Sequence, residues 1–487
     1  MKPSSLNELW LILLLWLQSG LVYCQLLYPQ SNTFNSSFTL DAEQIQQANL
    51  SQVFKNNVEV AINFERSNWA TGSVSSDPFY TLPSNITAIF SLLKPGTLLK
   101  VEYSTNTSLF TTAPALAVSR ILFTTETFNG STVPASAYIL WPFSPNLQPG
   151  TSKTQTVIWA HGTSGSFGEC APSHIRNLWY QFSAPYPLAL AGYAVVAPDY
   201  QGLGIDYTIL DSGETTFLRS PWMAHVPIAN DIFYAQQAAL QAFPSQLSSE
   251  FVVMGHSQGG GVAWAAAERQ AVKPTPGYLG TVAGSPATNY SRVIDYFGLE
   301  IPQAALIAWS AQSIFPGFEL SEVLTPLGIS RLELLAALGG CQSTRGTLLG
   351  VDIDELLQDD WPENFYIRRF LELTGAGGRP VAGPMMVIQG TADPLIPEVT
   401  VSQTVEETCT KNPESLLEYL VVNGTTHVPT LSATQKQWLG WISDRFAGVS
   451  VEKGCRSTVM QPYLPIEHYQ AETNYFLEWA NQAYEVA

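Results

Sequence analysis

The pattern of apolar and polar positions changes character near residue 154. Beyond it, short apolar runs rich in β-branched residues recur, each closed by small or turn-forming residues. Thr154–Ala160 (TQTVIWA), Tyr193–Ala197 (YAVVA), Phe251–Met254 (FVVM), Tyr278–Ala283, Met385–Gln389 and Leu417–Val422 read as six such strands. They do not alternate with polar residues, so both of their faces must be covered. Val226–Ala242 and Gly260–Ala271 carry helical spacing between them. The pattern predicts an α/β fold, a mostly parallel sheet flanked by helices, with its chemistry at the carboxyl ends of the strands. Upstream, Leu116–Thr125 and Ala135–Trp141 predict a pair of strands around a turn at Asn129-Gly130.

Three stretches fall outside this rhythm. Residues 25–98 are mixed, with Ser, Asn and Gln enriched, and read as an N-terminal extension of the core. Residues 289–383 hold no clear strand. They include the apolar run Pro302–Ser313 and Arg331–Leu338, with Leu332, Leu335 and Leu338 at helical spacing. A helical insertion between core strands is expected to cap the site, so the core is 25–288 with 384–455, and 456–487 is a tail. The acidic residues Asp352, Asp354, Glu355, Asp359 and Asp360 read as a solvated face of the cap.

Composition narrows the function. Charged residues make up 13% of the 487-residue chain, against about 25% in a typical domain. The net charge is −18, and phosphate binding needs clustered Lys and Arg, so nucleic acid is not an expected partner. Lys2, the short apolar run Leu9–Leu17, and Val22-Tyr23-Cys24 before Gln25 read as a signal peptide over residues 1–24. Cleavage there leaves Cys170, Cys341, Cys409 and Cys455, an even number suited to two disulfides in an oxidising compartment. Their spacing resembles no zinc site, and no metal is expected. Seven N-x-S/T sequons, at Asn35, Asn49, Asn85, Asn106, Asn129, Asn289 and Asn423, fit a glycosylated secreted protein.

The candidate chemistry centres on Gly255-His256-Ser257-Gln258-Gly259. A predicted strand enters this run and a predicted helix leaves it, the context that a G-x-S-x-G nucleophile turn requires. A serine hydroxyl needs a base, and the base needs an acid to fix its tautomer. His427 and His468 are the histidines downstream. His427 follows the predicted strand Leu417–Val422, whereas His468 lies in the tail, so His427 is the expected base. Asp393, in the turn after Met385–Gln389, is the expected acid, with Glu398 a nearby competitor. The backbone N–H of Gln258 and that of Thr163, in His161-Gly162-Thr163-Ser164-Gly165, would form an oxyanion hole, with Gly162 as the alternative to Thr163. His161 reads as a packing residue.

Four stretches together resemble the fungal and bacterial secretory lipase family of the α/β-hydrolase superfamily, of the Candida antarctica lipase A type. They are Cys170-Ala-Pro-Ser173, Ala197-Pro-Asp-Tyr-Gln-Gly-Leu-Gly204, the serine turn, and Gly390-Thr-Ala-Asp393-Pro-Leu-Ile-Pro397 with His427. The resemblance spans about Leu116 to Gly454. It implies an α/β-hydrolase fold with an inserted helical lid, acting on carboxylic esters without a cofactor. It also implies the pairings Cys170–Cys341 and Cys409–Cys455. The expected substrate is a small-molecule or lipid ester, with transient contact at a lipid interface. A secondary-metabolite deacetylase or esterase, an acyltransferase or peptidase on the same scaffold, and a binding protein on an inactive hydrolase fold are the alternatives.

Overall fold

Strand Thr154–Ala160 shows why these apolar runs do not alternate. Ile158 and Ala160 point into one core and Val157 and Trp159 into another. Val253 and Val252 divide in the same way on the neighbouring strand. A sheet buried on both faces needs apolar residues at every position. The computed structural model describes residues 36–298, 303–350 and 353–471. The proposed signal peptide and Asn35 lie outside them.

Ten strands form one sheet in the order β1-β2-β3-β5-β4-β8-β9-β10-β11-β12. The edge strand β1 (Leu98–Glu102), β2 (Leu116–Glu126) and β3 (Thr132–Pro142) are antiparallel, and β3 also pairs antiparallel with β5 (Ala194–Pro198). From β5 onward every pairing is parallel, through β4 (Thr154–Ala160), β8 (Leu247–His256), β9 (Tyr278–Gly284), β10 (Met385–Gly390), β11 (Leu416–Val422) and β12 (Gly454–Met460). β6 (Tyr207–Ile209) and β7 (Thr215–Phe217) make a separate hairpin. Helices His225–Ala242 and Gln258–Val272 cover one face. Pro185–Leu190 and Gln435–Phe446 cover the other.

All six parallel strands expected from the pattern are present. β12 is an addition, and it runs into the segment read as a tail. Its side chains are largely exposed and include Arg456, Ser457 and Thr458, so it lacks an apolar run. β1 escaped for a similar reason, with Lys100 and Glu102 on an edge strand. β8 begins four residues earlier than expected because Ser248, Ser249 and Glu250 open it.

Between β9 and β10 the described residues form helices Tyr290–Phe297, Ala304–Ala311, Pro326–Leu338, Gln342–Leu349, Ile353–Leu356 and Phe365–Thr374, and no strand. Asp354, Glu355, Asp359 and Asp360 are exposed, and Asp352 lies outside the described residues. The helix Gln52–Ser67 of the N-terminal extension holds this insertion from outside the core. Its buried Glu65 accepts hydrogen bonds from the N–H groups of Cys341 (2.8 Å), Ser343 (2.8 Å) and Thr344 (2.9 Å), and from Thr344 Oγ1 (2.7 Å). A carboxylate there satisfies N–H groups at the start of Gln342–Leu349 that have no partner within the helix. Burial raises the Glu65 pKa, with the four hydrogen bonds opposing it.

Glu65→Ala should therefore lower stability by about 3 kcal/mol, because buried donors lose their acceptor. Glu65→Gln should fall between, in chemical unfolding followed by tryptophan fluorescence. An alanine variant with the wild-type midpoint would show that the extension does not hold the cap.

Candidate active site

Ser257 stands at the junction of β8 and the helix Gln258–Val272 with φ 60° and ψ −122°. A non-glycine residue in this region is strained and persists only where its surroundings impose it. The surroundings here are backbone. A Cβ on Gly255 would lie 2.0 Å from the Gly259 carbonyl oxygen, and one on Gly259 would lie 2.0 Å from that of Ala160. The helix thus starts directly against the ends of β8 and β4. The Ser257 N–H donates to Gly284 O (3.0 Å), and its carbonyl receives Gly261 N–H and Ala287 N–H (both 3.1 Å). Its neighbours from Phe251 to Gly261 are buried, while Ser257 is partly open.

Asp393 and His427 lie in the turns after β10 and β11. Their parallel pairing with β8 through β9 brings both to the same end of the sheet as Ser257. His427 Nδ1 is 2.7 Å from Asp393 Oδ2, and both residues are buried. Asp393 also accepts from the N–H groups of Leu395 and Ile396 (2.9 Å each) and from Gln389 Nε2 (3.1 Å). Burial opposes ionisation of Asp393. The charge and hydrogen bond of His427, with the two N–H groups, outweigh it and hold the carboxyl below its ordinary pKa. With Nδ1 committed to the carboxylate, Nε2 is the nitrogen that can take a proton.

The competing residues are placed elsewhere. Glu398 accepts from Tyr419 Oη (2.9 Å) and from Ser402. His468 does follow a strand, β12, contrary to the expectation, but it is exposed.

Thr163 and Gln258 meet through their side chains. Thr163 Oγ1 donates to Gln258 Oε1 (3.1 Å) and accepts from Trp222 Nε1 (3.0 Å). Neither residue's N–H donates to a backbone carbonyl of the described residues. His161 packs as expected. It is buried, stacked on Tyr200 at 4.0 Å, and burial lowers its pKa to about 4.

The Cys170–Ser173 and Ala197–Gly204 stretches clasp one another. Asp199 accepts from Ser173 N–H (2.7 Å), Ser173 Oγ (2.5 Å) and Ser136 Oγ (2.6 Å). Cys170 is bonded to Cys341, and Cys409 to Cys455. The first bridge ties the loop after β4 to the cap, beside a Gln342 N–H to Ser164 O bond of 3.0 Å. Asn49, Asn85, Asn106, Asn129 and Asn423 are exposed, and Asn289 is half-buried. A cavity of about 690 Å³ opens between Trp69, Glu169, Asp206 and Gly339 and contains none of the candidate reacting residues. Among the described residues no His, Cys, Asp and Glu cluster suits a metal ion.

Three contacts at the site carried no sequence signal: Trp222 Nε1 to Thr163, Trp179 Nε1 to the Gly162 carbonyl (3.1 Å) and Tyr180 Oη to His256 Nδ1 (2.8 Å). His256 sat within the serine motif itself, where nothing in the spacing gives its ring a partner.

A family model described as the alpha/beta hydrolase family matches residues 157–437. The chain belongs to the alpha/beta hydrolase family. Solved structures share the fold of this hydrolase at low identity. Candida antarctica lipase A is 15% identical with a TM-score of 0.63, covering 86% of this chain and 95% of that one. A ligand-bound form of the rice cell wall degrading esterase LipA from Xanthomonas oryzae is 18% identical with a TM-score of 0.55, covering 72% and 100%. A putative hydrolase from Legionella pneumophila is 15% identical with a TM-score of 0.56, covering 73% and 100%. No curated protein matches the hydrolase by sequence.

The depressed pKa of Asp393 has a sign that can be checked. Its native state binds this proton more weakly than the unfolded chain, whose value is about 3.9. Ionised Asp393 therefore adds stability above that value, lost as pH falls through the native one. The stability gap between wild type and Asp393→Asn should narrow in thermal melts below about pH 4. A gap constant across the acid range would refute it.

Proposed function

We propose that the protein is a secreted serine hydrolase that cleaves carboxylic esters, of the lipase or carboxylesterase type. The observation that carries this reading is the 2.7 Å contact between His427 Nδ1 and Asp393 Oδ2, beside the strained serine turn. Ser257 Oγ attacks the ester carbonyl carbon as His427 Nε2 takes its proton. Asp393 holds the imidazole by Nδ1–H and stabilises the cation that forms. The tetrahedral oxyanion is received by the N–H groups of Gln258 and Thr163, a contribution of about 3 kcal/mol per donor in such sites.

Collapse of the intermediate breaks the bond to the alcohol, which leaves with the proton from His427. Water then adds to the acyl-enzyme. His427 accepts a proton from that water and returns one to Ser257 Oγ as the acid departs. No step calls for a cofactor.

Secretion is supported by the apolar N-terminal run and by two disulfides. Among the described residues no helix is long and apolar enough to cross a membrane. The lipase and esterase named among the structural relatives fit the proposed reaction class.

Ser257→Ala should abolish turnover of p-nitrophenyl esters while circular dichroism stays unchanged. Asp393→Asn should lower kcat by about 10⁴. A fluorophosphonate probe should add its mass to the peptide carrying Ser257. Retention of more than about one part in a hundred of kcat by Ser257→Ala would sink the assignment.

A further inference from the structure

We propose that Tyr180 and His256 form a hydrogen-bonded strut that positions His427, set by the left-handed turn that carries Tyr180. The proposal rests on the reading of His427 as the base.

Among the described residues this turn is the longest run of positive φ outside glycine. Leu178, Trp179, Tyr180 and Gln181 have φ values of 57°, 52°, 67° and 20° in succession. Side chains with a Cβ visit the left-handed region singly, because each residue there is unfavourable. A run of such residues persists only if its surroundings demand it. The segment is also tied down locally, by Leu178 N–H to Ile175 O (2.9 Å), Trp179 N–H to Asn177 Oδ1 (3.0 Å) and Ser183 N–H to Tyr180 O (2.7 Å).

The turn aims two side chains under the site. Trp179 Nε1 donates to the Gly162 carbonyl (3.1 Å), in the loop that carries Thr163. The Tyr180 phenol passes Gly162 so closely that a Cβ there would lie 2.0 Å from the hydroxyl oxygen. It reaches His256 Nδ1 at 2.8 Å. On the other side of the ring, His256 Nε2 is 3.1 Å from the His427 carbonyl oxygen.

The proton positions follow from these partners. A carbonyl only accepts, so His256 Nε2 carries hydrogen and donates. Burial, with the neighbouring His427, pushes the His256 pKa down to about 3, so its Nδ1 is bare and accepts from Tyr180. The phenol thus fixes the tautomer that grips the His427 backbone. Ser285 Oγ reaches the same carbonyl at 3.3 Å. Through one strained turn, both the loop bearing Thr163 and the loop bearing His427 are referenced to a single rigid support. Tyr180 and His256 are positioning residues, since neither would touch the ester.

The test uses the full-length protein with Tyr180→Phe, His256→Leu, His256→Gln and the Tyr180→Phe/His256→Leu double variant. Tyr180→Phe should lower kcat and the fluorophosphonate labelling rate about tenfold, with KM unchanged. His256→Leu should lower kcat at least as far. His256→Gln, whose side-chain amide can donate to the carbonyl, should recover much of that loss. The double variant should be no worse than His256→Leu, because both remove one strut.

Nitrogen-15 histidine NMR should show His256 as the neutral Nε2–H tautomer, and this readout does not depend on activity or on the Leu variant folding. Overturning results are an Nδ1–H tautomer, a kcat within twofold of wild type for Tyr180→Phe, or independent losses that multiply in the double variant. A wild-type protein that neither turns over esters nor labels at Ser257 would remove the function along with the strut. Normal wild-type labelling with unaffected variants would remove the strut alone.

Discussion

A helix that starts hard against the end of a parallel strand leaves no room for side chains where they meet. That constraint governs the site. Without a Cβ at positions 255 and 259, the helix Gln258–Val272 can begin at the carboxyl ends of β8 and β4, within contact of the Ala160 carbonyl. The turn then forces Ser257 into a strained conformation and presents the first N–H of the helix beside it. The other parts are placed relative to that crossing. β9 and β10 carry the turn with Asp393 to the same edge, β11 carries His427, and the loop after β4 comes alongside through Thr163 and Gln258.

How much of this was legible depended on whether a residue's environment repeats along the chain. The central strands were readable because burial on both faces imposes apolar residues position after position. β1 and β12 were not, because edge strands are not buried on both faces and their composition resembles that of loops. Ser257, Asp393 and His427 could be placed because strand order dictates where such residues must fall. In the structure His427 contacts Asp393, while Glu398 bonds Tyr419. Tyr180 and Trp179 could not be anticipated. A run of positive φ values in Leu-Trp-Tyr-Gln contradicts local propensity, and only tertiary contact can impose it.

The parts without recognisable sequence pattern are nonetheless bound to the parts that have it. The extension residue Glu65 caps a helix of the insertion from across the molecule, and Arg331 Nε returns the favour by donating to Ala48 O at 3.2 Å. The clasp between Asp199 and Ser173 joins two stretches that are distant in sequence. One closes the loop leading from the Cys170 bridge, and the other closes β5. Neither needs to touch a substrate.

The two disulfides also divide the chain as a piece of topology. The Cys170–Cys341 bridge, with a sequence separation of 171, closes a ring that contains Ser257, and Cys409–Cys455, with a separation of 46, closes one that contains His427. Asp393 lies on the single thread between the rings. A backbone cut inside either ring leaves every fragment covalently attached. A cut between residues 342 and 408 severs the thread, and the proposed nucleophile and base are then held together by non-covalent contacts alone.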